Sequence, residues 1–323
     1  MPTLKDVARE ANVSISTVSY SVNDNPLIPE ETRNRVKMIA NEMGYRPNGS
    51  AKNLKKQKTN IVGLFLSGFS GPFFTDMMEG IHDVVLQKGF ELVVSSSVEQ
   101  HRLLVERYVD GAIILNYHME DDLLIKVAND KFPLVVMDRM IDHPFIAPVL
   151  LPNEEGASLG TTYLLQKGLT SLAFIAGSKH SFDGERRLEG FKQGLAEYNV
   201  TFCEKNQLIR ADFTEESGYM AMKEYLSTRS VVPEGLVAAN DEMAMGSIRA
   251  LTEAGYNVPK DVSVVGFDDI YLAKYIHPAL TTVHVPRKQW GVQAAQKLFH
   301  LMDNQREEES NGINLKLISR DSG

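Results

Sequence analysis

Several carboxyl and amide side chains of this sequence directly follow short apolar runs. They are Asp138, Asn240, Asp241, Asp268 and Asp269. Aromatic rings occupy comparable places at Phe73, Phe74 and Phe213. In open α/β sheets ligands bind at the carboxyl ends of the strands, so these side chains are expected to line one cleft. Carboxylates, an amide and flat apolar rings suit the hydroxyls and the faces of a sugar.

Each of these residues also has an ordinary structural explanation. An Asp or Asn after a strand often caps the next helix, and a Phe in an α/β protein usually packs in the core. The prediction of a binding cleft therefore depends on the whole set coming together.

The sequence offers no constellation for catalysis or metal binding. It contains no G-x-G-x-x-G, no G-x-x-x-x-G-K-[ST], no G-x-S-x-G and no H-E-x-x-H. Asp268 and Asp269 would point to opposite faces of an extended strand, which argues against a shared metal or a hydrolytic pair. The single cysteine, Cys203, has no partner for a disulfide or a metal site. We therefore predict a protein that is not an enzyme, with no catalytic residues, no metal and no cofactor.

Alternating strands and helices must position the side chains of the cleft. Apolar runs of strand length recur at 61–66, 91–95, 111–115, 134–137, 172–176, 208–211, 236–239 and 262–267. Helical stretches lie between them, such as the one from about Phe73 to Lys88 that Gly89 closes. Such repetition is typical of parallel sheets covered by helices on both faces. We predict an α/β body of doubly wound parallel sheets, with a final strand over 313–319.

The first 46 residues follow a different pattern, that of three short helices. Apolar residues recur at helical spacing after a capping Thr3, at Leu4, Val7, Ala8 and Ala11. A tight turn can precede a second helix capped by Ser14 or Ser16, and a third helix begins at Pro29 and ends at Gly44. Two short helices joined by a tight turn predict an all-α helix-turn-helix domain.

Charge is distributed unevenly along the chain. The net charge is −8, but residues 1–58 carry 10 Lys and Arg against 6 Asp and Glu, whereas the remaining 265 residues carry 24 against 36. A small basic module on an acidic body is typical of a protein that binds nucleic acid through one segment. A small three-helix bundle for protein contact is the alternative that these patterns leave open.

The N-terminal segment resembles the start of the LacI/GalR family of bacterial transcriptional regulators. The resemblance is carried by Leu4-Lys-Asp-Val-Ala8, Val13-Ser-Ile-Ser-Thr-Val-Ser19 and the run from Tyr45 to Thr59. It implies that the second helix enters the major groove of DNA, with bases read by Ile15, Ser16 and Tyr20. It implies phosphate contacts for Ser14, Thr17 and Ser19. Many family members have Arg in place of Tyr20, so the operator of this chain is expected to differ too.

The same resemblance makes residues 47–59 a hinge helix and linker. It implies DNA contacts for Asn48, Lys52, Leu54 and Lys55. Leu54 would insert into the minor groove, and the lysines would lie near phosphates. Without the preceding module, this run would be interpreted as a flexible basic linker.

The resemblance continues through the body in short segments such as Val136-Met-Asp-Arg139, Arg187-Leu-Glu-Gly-Phe191 and Val264-Val-Gly-Phe-Asp-Asp269. It implies a two-lobed body like that of periplasmic binding proteins. The domains would be 1–46 for the helix-turn-helix, 60–155 with 284–310 for the N-terminal lobe, and 156–283 with 311–323 for the C-terminal lobe. The chain would cross between the lobes near Asn153, Val283 and Ser310. The implied effector contacts are Phe73, Phe74, Asp138, Arg187, Phe213, Asn240 and Asp268.

One stretch departs from the family pattern. Between Ser95 and Asp110 the chain is shorter than is usual in the family, so the helix there must be trimmed. Because the resemblance places this stretch on the lobe that contacts a partner subunit, dimer geometry near it is left open.

These patterns together predict a sequence-specific DNA-binding repressor that a small sugar releases from a palindromic operator. It would act as a homodimer, with a tetramer left open. The alternatives are a regulator that needs a purine or a phosphorylated carrier protein as corepressor, and a solute-binding protein. Residues 1–11 lack the apolar stretch of a signal peptide, and no run of about 18 apolar residues follows. We therefore expect a cytoplasmic protein with no membrane partner.

Overall fold

The computed structural model of the protein describes residues 2–47, 58–69, 71–96, 99–229, 231–305 and 312–323. The chain forms two compact units, the N-terminal unit Met1–Thr59 and the body Asn60–Gly323. No helix in these described ranges is long and apolar enough to cross a membrane.

The described part of the N-terminal unit folds into three helices whose ends match their capping residues. They are α1 Leu4–Glu10, α2 Ile15–Val22 and α3 Glu30–Glu42. The Thr3 side chain accepts a hydrogen bond from the backbone N–H of Asp6, whose carboxylate accepts one from the Thr3 N–H. Gly44 follows α3 at φ +66°, a conformation that favours glycine. The predicted helix-turn-helix is confirmed.

A small apolar core holds these helices together. Its buried side chains come from α1, α2, α3 and the turn after α1: Val7, Ala8, Ala11, Val18, Val36 and Ala40. Since these residues lie on the apolar faces of their own helices, the spacing that predicts the helices also predicts their packing.

The first sheet of the body has the strand order β2-β1-β3-β4-β5, and all neighbours pair in parallel. Its strands are β1 Ile61–Leu66, β2 Glu91–Ser95, β3 Gly111–Leu115, β4 Leu134–Val136 and β5 Ile146–Pro148. The central strand β3 is buried along its whole length, as expected of a strand covered on both faces.

The second sheet has the order β11-β10-β9-β8-β6-β7. Its strands are β6 Leu172–Ala176, β7 Leu208–Arg210, β8 Gly235–Ala238, β9 Ser263–Asp268, β10 Thr281–His284 and β11 Lys316–Ile318. The strands pair in parallel except β11, which runs antiparallel to β10 at the edge.

Helices connect the strands of both sheets. They are α4 Phe73–Gln87, α5 Arg102–Val105, α6 Asp121–Val127, α7 Asn153–Gln166, α8 Phe182–Glu197, α9 Glu204–Gln207, α10 Glu215–Thr228, α11 Asp241–Glu253 and α12 Arg287–Met302, with a short 3-10 helix at Tyr271–Lys274. The alternation confirms the predicted α/β fold. In the stretch predicted to be trimmed, α5 is a single turn, and residues 97 and 98 lie outside the described ranges.

The chain passes from one sheet to the other between β5 and α7, between β10 and α12, and between α12 and β11. Helix α7 begins at Asn153 and packs on α8 and on strands of the second sheet. Residues 153–155, which the sequence analysis assigned to the N-terminal lobe, therefore lie against the second sheet. The predicted crossing near Ser310 falls outside the described residues, and the remaining lobe bounds stay predictions.

The eight strands predicted before residue 268 lie within about one residue of the observed ones, whereas the final strand predicted over 313–319 covers only Lys316–Ile318. Strands β5 and β10 were not predicted. β5 has three residues and ends at Pro148, which lacks the N–H of a central strand and fits an edge. β10 begins with Thr281 and Thr282, both fully buried with hydrogen-bonded hydroxyls, so no apolar run marks it.

Helices α4 and α12 approach each other closely because each has a glycine at the crossing. A Cβ on Gly80 would lie 2.1 Å from the carbonyl oxygen of Lys288, and a Cβ on Gly291 would lie 2.2 Å from that of Met77. The fully buried Trp290 of α12 donates its indole N–H to the carbonyl oxygen of Val149 at 2.8 Å. Helix α12 thereby covers the first sheet.

Candidate ligand cavity and nucleic-acid interface

A cavity of about 270 Å³ lies in the body where polar residues follow strands of both sheets. Small-molecule sites typically have volumes of ~300–1,000 Å³, so this cavity suits a small ligand. All seven residues predicted to contact an effector line it: Phe73, Phe74, Asp138, Arg187, Phe213, Asn240 and Asp268. The structure brings this set together, and its contact with an effector stays a prediction.

Arg187 of α8 lies at the centre of the cavity wall. Its Nε donates to Oδ1 of Asn153 at 2.8 Å, and its Nη1 donates to the carbonyl oxygen of Ala239 at 2.5 Å. The guanidinium lies over the ring of Phe267, 3.8 Å from the ring centroid, and 3.5 Å from Oδ1 of Asp268. This planar cation is thus fixed by both hydrogen bonds and stacking.

Two carboxyl oxygens of the wall have unused hydrogen-bonding capacity. Oδ1 of Asp138 accepts from Nη1 of Arg139 at 2.9 Å, but its Oδ2 has no hydrogen-bond partner among the described residues. The same holds for Oδ1 of Asp268 within those ranges. Asp138 is 7% exposed and Asp268 3%. Buried acceptors of this kind are costly unless a donor reaches them, so the wall is built to receive donor groups.

Burial raises the pKa of four cavity carboxyls: Asp138, Asp183, Glu242 and Asp268. The pKa of Asp183 rises to about 7 and that of Asp268 to about 6, because burial disfavours the charged form, while Arg187 opposes both shifts. Burial also raises the pKa of Asp138 against the opposing effect of Arg139. Asp183 and Asp268 therefore exchange protons close to neutral pH.

The raised pKa values predict that the body loses stability as the pH rises. Native Asp183 and Asp268 bind protons more tightly than an unfolded Asp of pKa 3.8, so their stabilising effect is complete below about pH 4 and is lost as the pH passes through about 6 and 7. The substitution Asp183→Asn removes the part of this pH-dependent loss of stability that is due to Asp183. We expect this variant to be more stable than the wild type at about pH 8, by about 1–3 kcal/mol, and to lose most of this advantage at about pH 5.

Urea unfolding followed by the fluorescence of Trp290 measures this difference, because the chain has a single tryptophan and it is buried in the body. Asp212→Asn is the matched control, since Asp212 lines the same cavity but is exposed to solvent. A stability difference between Asp183→Asn and the wild type that is the same at both pH values would contradict the prediction.

Asn240 and Phe213 support each other at the ends of neighbouring elements. Asn240 caps α11, with its Oδ1 accepting from the N–H of Met243 at 2.9 Å, and its Nδ2 donates to the carbonyl oxygen of Phe213 at 2.8 Å. Phe213 has φ +58°. Its ring fills the space beside Gly177, because a Cβ on Gly177 would lie 2.1 Å from Cε2 of Phe213. The ordinary capping role of Asn240 and its place in the cavity wall therefore coexist.

Phe73 and Phe74 form the aromatic part of the wall at the start of α4. Their ring centroids are 5.4 Å apart and their planes meet at 80°, an edge-to-face pair. Phe73 also packs against Trp290 at 6.2 Å between centroids. The two rings thus offer one face and one edge rather than two parallel faces.

Asp241 and Asp269 point away from the cavity, although each is adjacent to a lining residue. Asp241 is fully buried and accepts hydrogen bonds from the N–H of Ile270 and the hydroxyl of Thr282. Asp269 pairs with Arg320 at 2.6 Å and contacts His284. The expectation that Asp241 and Asp269 line the cleft is therefore wrong. Asp268 and Asp269 have different partners as predicted, but the backbone at both is not extended, with φ values of +112° and +53°.

Several lining residues were not predicted from the sequence: Ser67, Gly68, Leu115, Tyr117, Ser181, Asp183, Asp212, Thr214 and Glu242. Asp212, Thr214 and Glu242 adjoin predicted residues or follow them closely, so their position after a strand was a usable signal. Asp183 follows no strand directly, because it lies in the first turn of α8. In the described part of the chain, no group of three or more His, Cys, Asp or Glu residues could hold a metal ion.

Helix α2 of the N-terminal unit presents the residues predicted to contact DNA. Ile15, Ser16 and Tyr20 are exposed, with 44% exposure for Ile15 and 42% for Tyr20. Ser14 caps the helix by accepting from the N–H of Thr17 at 3.1 Å, and Thr17 and Ser19 are partly exposed. Asn48, Lys52, Leu54 and Lys55 lie outside the described residues. An exposed helix face with short hydroxyl groups at its N-terminus is suited to a DNA groove.

Comparison with known proteins places the chain in a family. Residues 3–48 match the model of bacterial regulatory proteins of the lacI family, and residues 161–323 match the periplasmic binding protein-like domain. The HTH-type transcriptional repressor PurR of Klebsiella pneumoniae (strain 342) is 33% identical over 332 residues, covering 100% of this chain and 97% of that protein. The chain belongs to the LacI family of bacterial regulatory proteins. As a LacI-family member it is a DNA-binding transcriptional regulator, and its relatives are regulators rather than enzymes.

Solved LacI-family structures have the same fold. A sugar-binding transcriptional regulator from Enterococcus faecalis is 32% identical, with a TM-score of 0.76 over 82% of this chain and 98% of that one. The Lac repressor dimer bound to operator and the anti-inducer ONPF is 29% identical, with a TM-score of 0.83 over 99% of this chain and 98% of that one. The predicted combination of a helix-turn-helix and a two-sheet α/β body is confirmed.

Proposed function

We propose that the protein is a repressor whose affinity for its operator falls when a small sugar binds in the body. The observation that carries this proposal is the cavity itself, in which free carboxyl oxygens, a fixed guanidinium and aromatic rings surround about 270 Å³. Sugar hydroxyls can donate to the carboxyls, and a sugar face can lie on an aromatic ring.

The similarity to a sugar-binding regulator from Enterococcus faecalis supports the sugar as ligand class. The geometry of Phe73 and Phe74 argues against a purine held between those two rings, since their planes meet at 80°. Phe73, Phe74, Asp138, Arg187, Phe213, Asn240 and Asp268 are the proposed effector contacts.

The DNA partner is proposed to be a palindromic operator bound by a homodimer. Its support is the likeness to the Lac repressor, which was solved as a dimer on operator DNA. Bases would be read by Ile15, Ser16 and Tyr20, and phosphates would be held by Ser14, Thr17 and Ser19. Asn48, Lys52, Leu54 and Lys55 would complete the contacts. A regulator of bacterial transcription works where the DNA is, which places the protein in the cytoplasm.

The proposal predicts that one sugar separates the protein from its selected DNA. The full-length protein is used to select duplexes from a random library, and fluorescence anisotropy then follows release by monosaccharides, disaccharides, hypoxanthine and guanine. We expect a palindromic site, and a sugar that weakens operator binding by about tenfold or more, because only an effector with unequal affinity for the two states can shift them. Tighter operator binding with a purine, and no effect of any sugar, would instead make the protein corepressor-dependent. If the selection enriches no DNA sequence, the proposal of a specific operator is refuted.

A further inference from the structure

The wall of the cavity has more acidic than basic side chains. Among the described residues that line it, Arg187 is the one basic side chain, and five are acidic: Asp138, Asp183, Asp212, Glu242 and Asp268. Charge of one sign in an enclosed site selects ligands by their charge as well as by their shape.

Asp183 is one of three carboxyls of this group, with Asp212 and Glu242, that form no ion pair among the described residues. Asp138 lies 2.9 Å from Nη1 of Arg139, and Asp268 lies 3.5 Å from Nη1 of Arg187. Asp183 accepts a hydrogen bond from Nδ2 of Asn153 at 2.7 Å, and none of the ion pairs found among the described residues includes it. Its charge therefore acts on whatever enters the cavity.

The free groups of the wall are acceptors. Oδ2 of Asp138 and Oδ1 of Asp268 have no hydrogen-bond partner within the described ranges, and both side chains are more than nine-tenths buried. A sugar hydroxyl can donate to each of these oxygens. A phosphate group at about pH 8 is mainly an acceptor with about two negative charges, and an ionised carboxylate has no proton to donate to it.

The N-terminus of α8 strengthens this difference. A helix N-terminus commonly binds phosphate through its free N–H groups. Here Ser181 caps the helix by accepting from the N–H of Gly184 at 3.1 Å, and Asp183 puts its own carboxyl into the first turn. The helix end that could attract a phosphate already carries a negative charge of the chain.

We propose that Asp183, together with Asp138 and Asp268, determines effector specificity by admitting uncharged sugars and excluding phosphorylated ones. The inference rests on the proposed function, because it takes a sugar as the ligand. Asp138 and Asp268 are already proposed as effector contacts. The new role is that of Asp183, whose negative charge would repel the phosphate group of a phosphorylated sugar.

Matched sugar pairs test the inference on the full-length protein. Glucose and glucose 6-phosphate, fructose and fructose 6-phosphate, and cellobiose and its 6-phosphate are titrated by calorimetry at about pH 8, above the pKa values of Asp183 and Asp268. In the pair that binds, we expect the uncharged sugar to bind at least about tenfold more tightly. In Asp183→Asn this ratio falls by about fivefold or more. In Glu189→Gln it stays unchanged, because Glu189 is an exposed acid on the same helix but outside the cavity wall.

Asp183→Ser is the second variant and keeps a small polar side chain in the first turn of α8. A merely structural role of Asp183 would weaken both members of a pair equally, so a ratio that both Asp183 variants leave unchanged overturns the inference. A phosphorylated sugar that binds as tightly as its uncharged partner also overturns it. Failure of the proposed function gives a different result, in which no sugar of either kind binds or releases DNA, and the inference falls with it.

Discussion

In the Arg187→Met variant, the affinity for the sugar effector is expected to fall by about 100-fold or more, while operator affinity without sugar stays within about twofold of the wild type. Arg187 holds the wall together through Asn153 and Ala239, and its guanidinium forms an ion pair with the Asp268 carboxylate. Methionine fills a similar volume but leaves these acceptors without donors. The pKa of Asp268 then rises further, because Arg187 is the largest influence that lowers it.

Calorimetric titration of the sugar and anisotropy of labelled operator separate the two effects. Arg186→Met is the matched control on the same helix, because the Arg186 side chain is 68% exposed and pairs with Glu154 at 2.6 Å, outside the cavity wall. A normal sugar response in Arg187→Met would remove Arg187 from the proposed site.

The second large effect is expected from Gly80→Ala at the crossing of α4 and α12. The new Cβ would lie 2.1 Å from the carbonyl oxygen of Lys288, whereas ordinary contacts are at ~3.5 Å, and the obstacle is backbone that no rotamer change can move. The two helices must separate, which loosens the cover of the first sheet. We expect the body to lose about 2–3 kcal/mol of unfolding free energy.

Urea unfolding read by Trp290 is a direct measure, since this tryptophan lies on α12 itself. Gly312→Ala is the control, because a Cβ there would meet no atom within 4 Å. Equal unfolding midpoints for Gly80→Ala and Gly312→Ala would show that the two helices can separate at no cost.

The local elements of this chain were predictable because their signals are local. Thr3 and Ser14 cap helices through bonds to residues three positions away, and Gly44 ends a helix through its own backbone angle. The strands of the body were predictable because most are buried apolar runs. Strand β10 was not predicted, because its buried threonine hydroxyls form hydrogen bonds with residues distant in sequence, such as Asp241 and Arg320. No local sequence pattern shows these partners.

The cavity was partly predictable for a similar reason. Asn240 and Asp268 lie at the carboxyl edge of the second sheet, and Asp138 lies at that of the first, so the rule for strand ends predicts the two sides of the cavity separately. Asp183 reaches the cavity only because α8 packs on α7 and brings it next to Asn153. Asp241 resembles Asn240 in sequence position, but it turns inward to Ile270 and Thr282. Side-chain direction at a helix start depends on tertiary packing, which single-sequence patterns do not contain.

The late position of α12 in the chain has a consequence for biosynthesis. The N-terminal unit draws its core from the first 40 residues, so it can fold as soon as that short segment leaves the ribosome. The first sheet is covered only when residues 287–302 have been made, long after β5 at Ile146–Pro148. Until then part of its apolar surface lacks the cover that α12 provides, and such transiently exposed surface favours aggregation. A nascent chain therefore completes its helix-turn-helix well before the body has the cover of α12, and the proposed response to an effector requires nearly the whole chain.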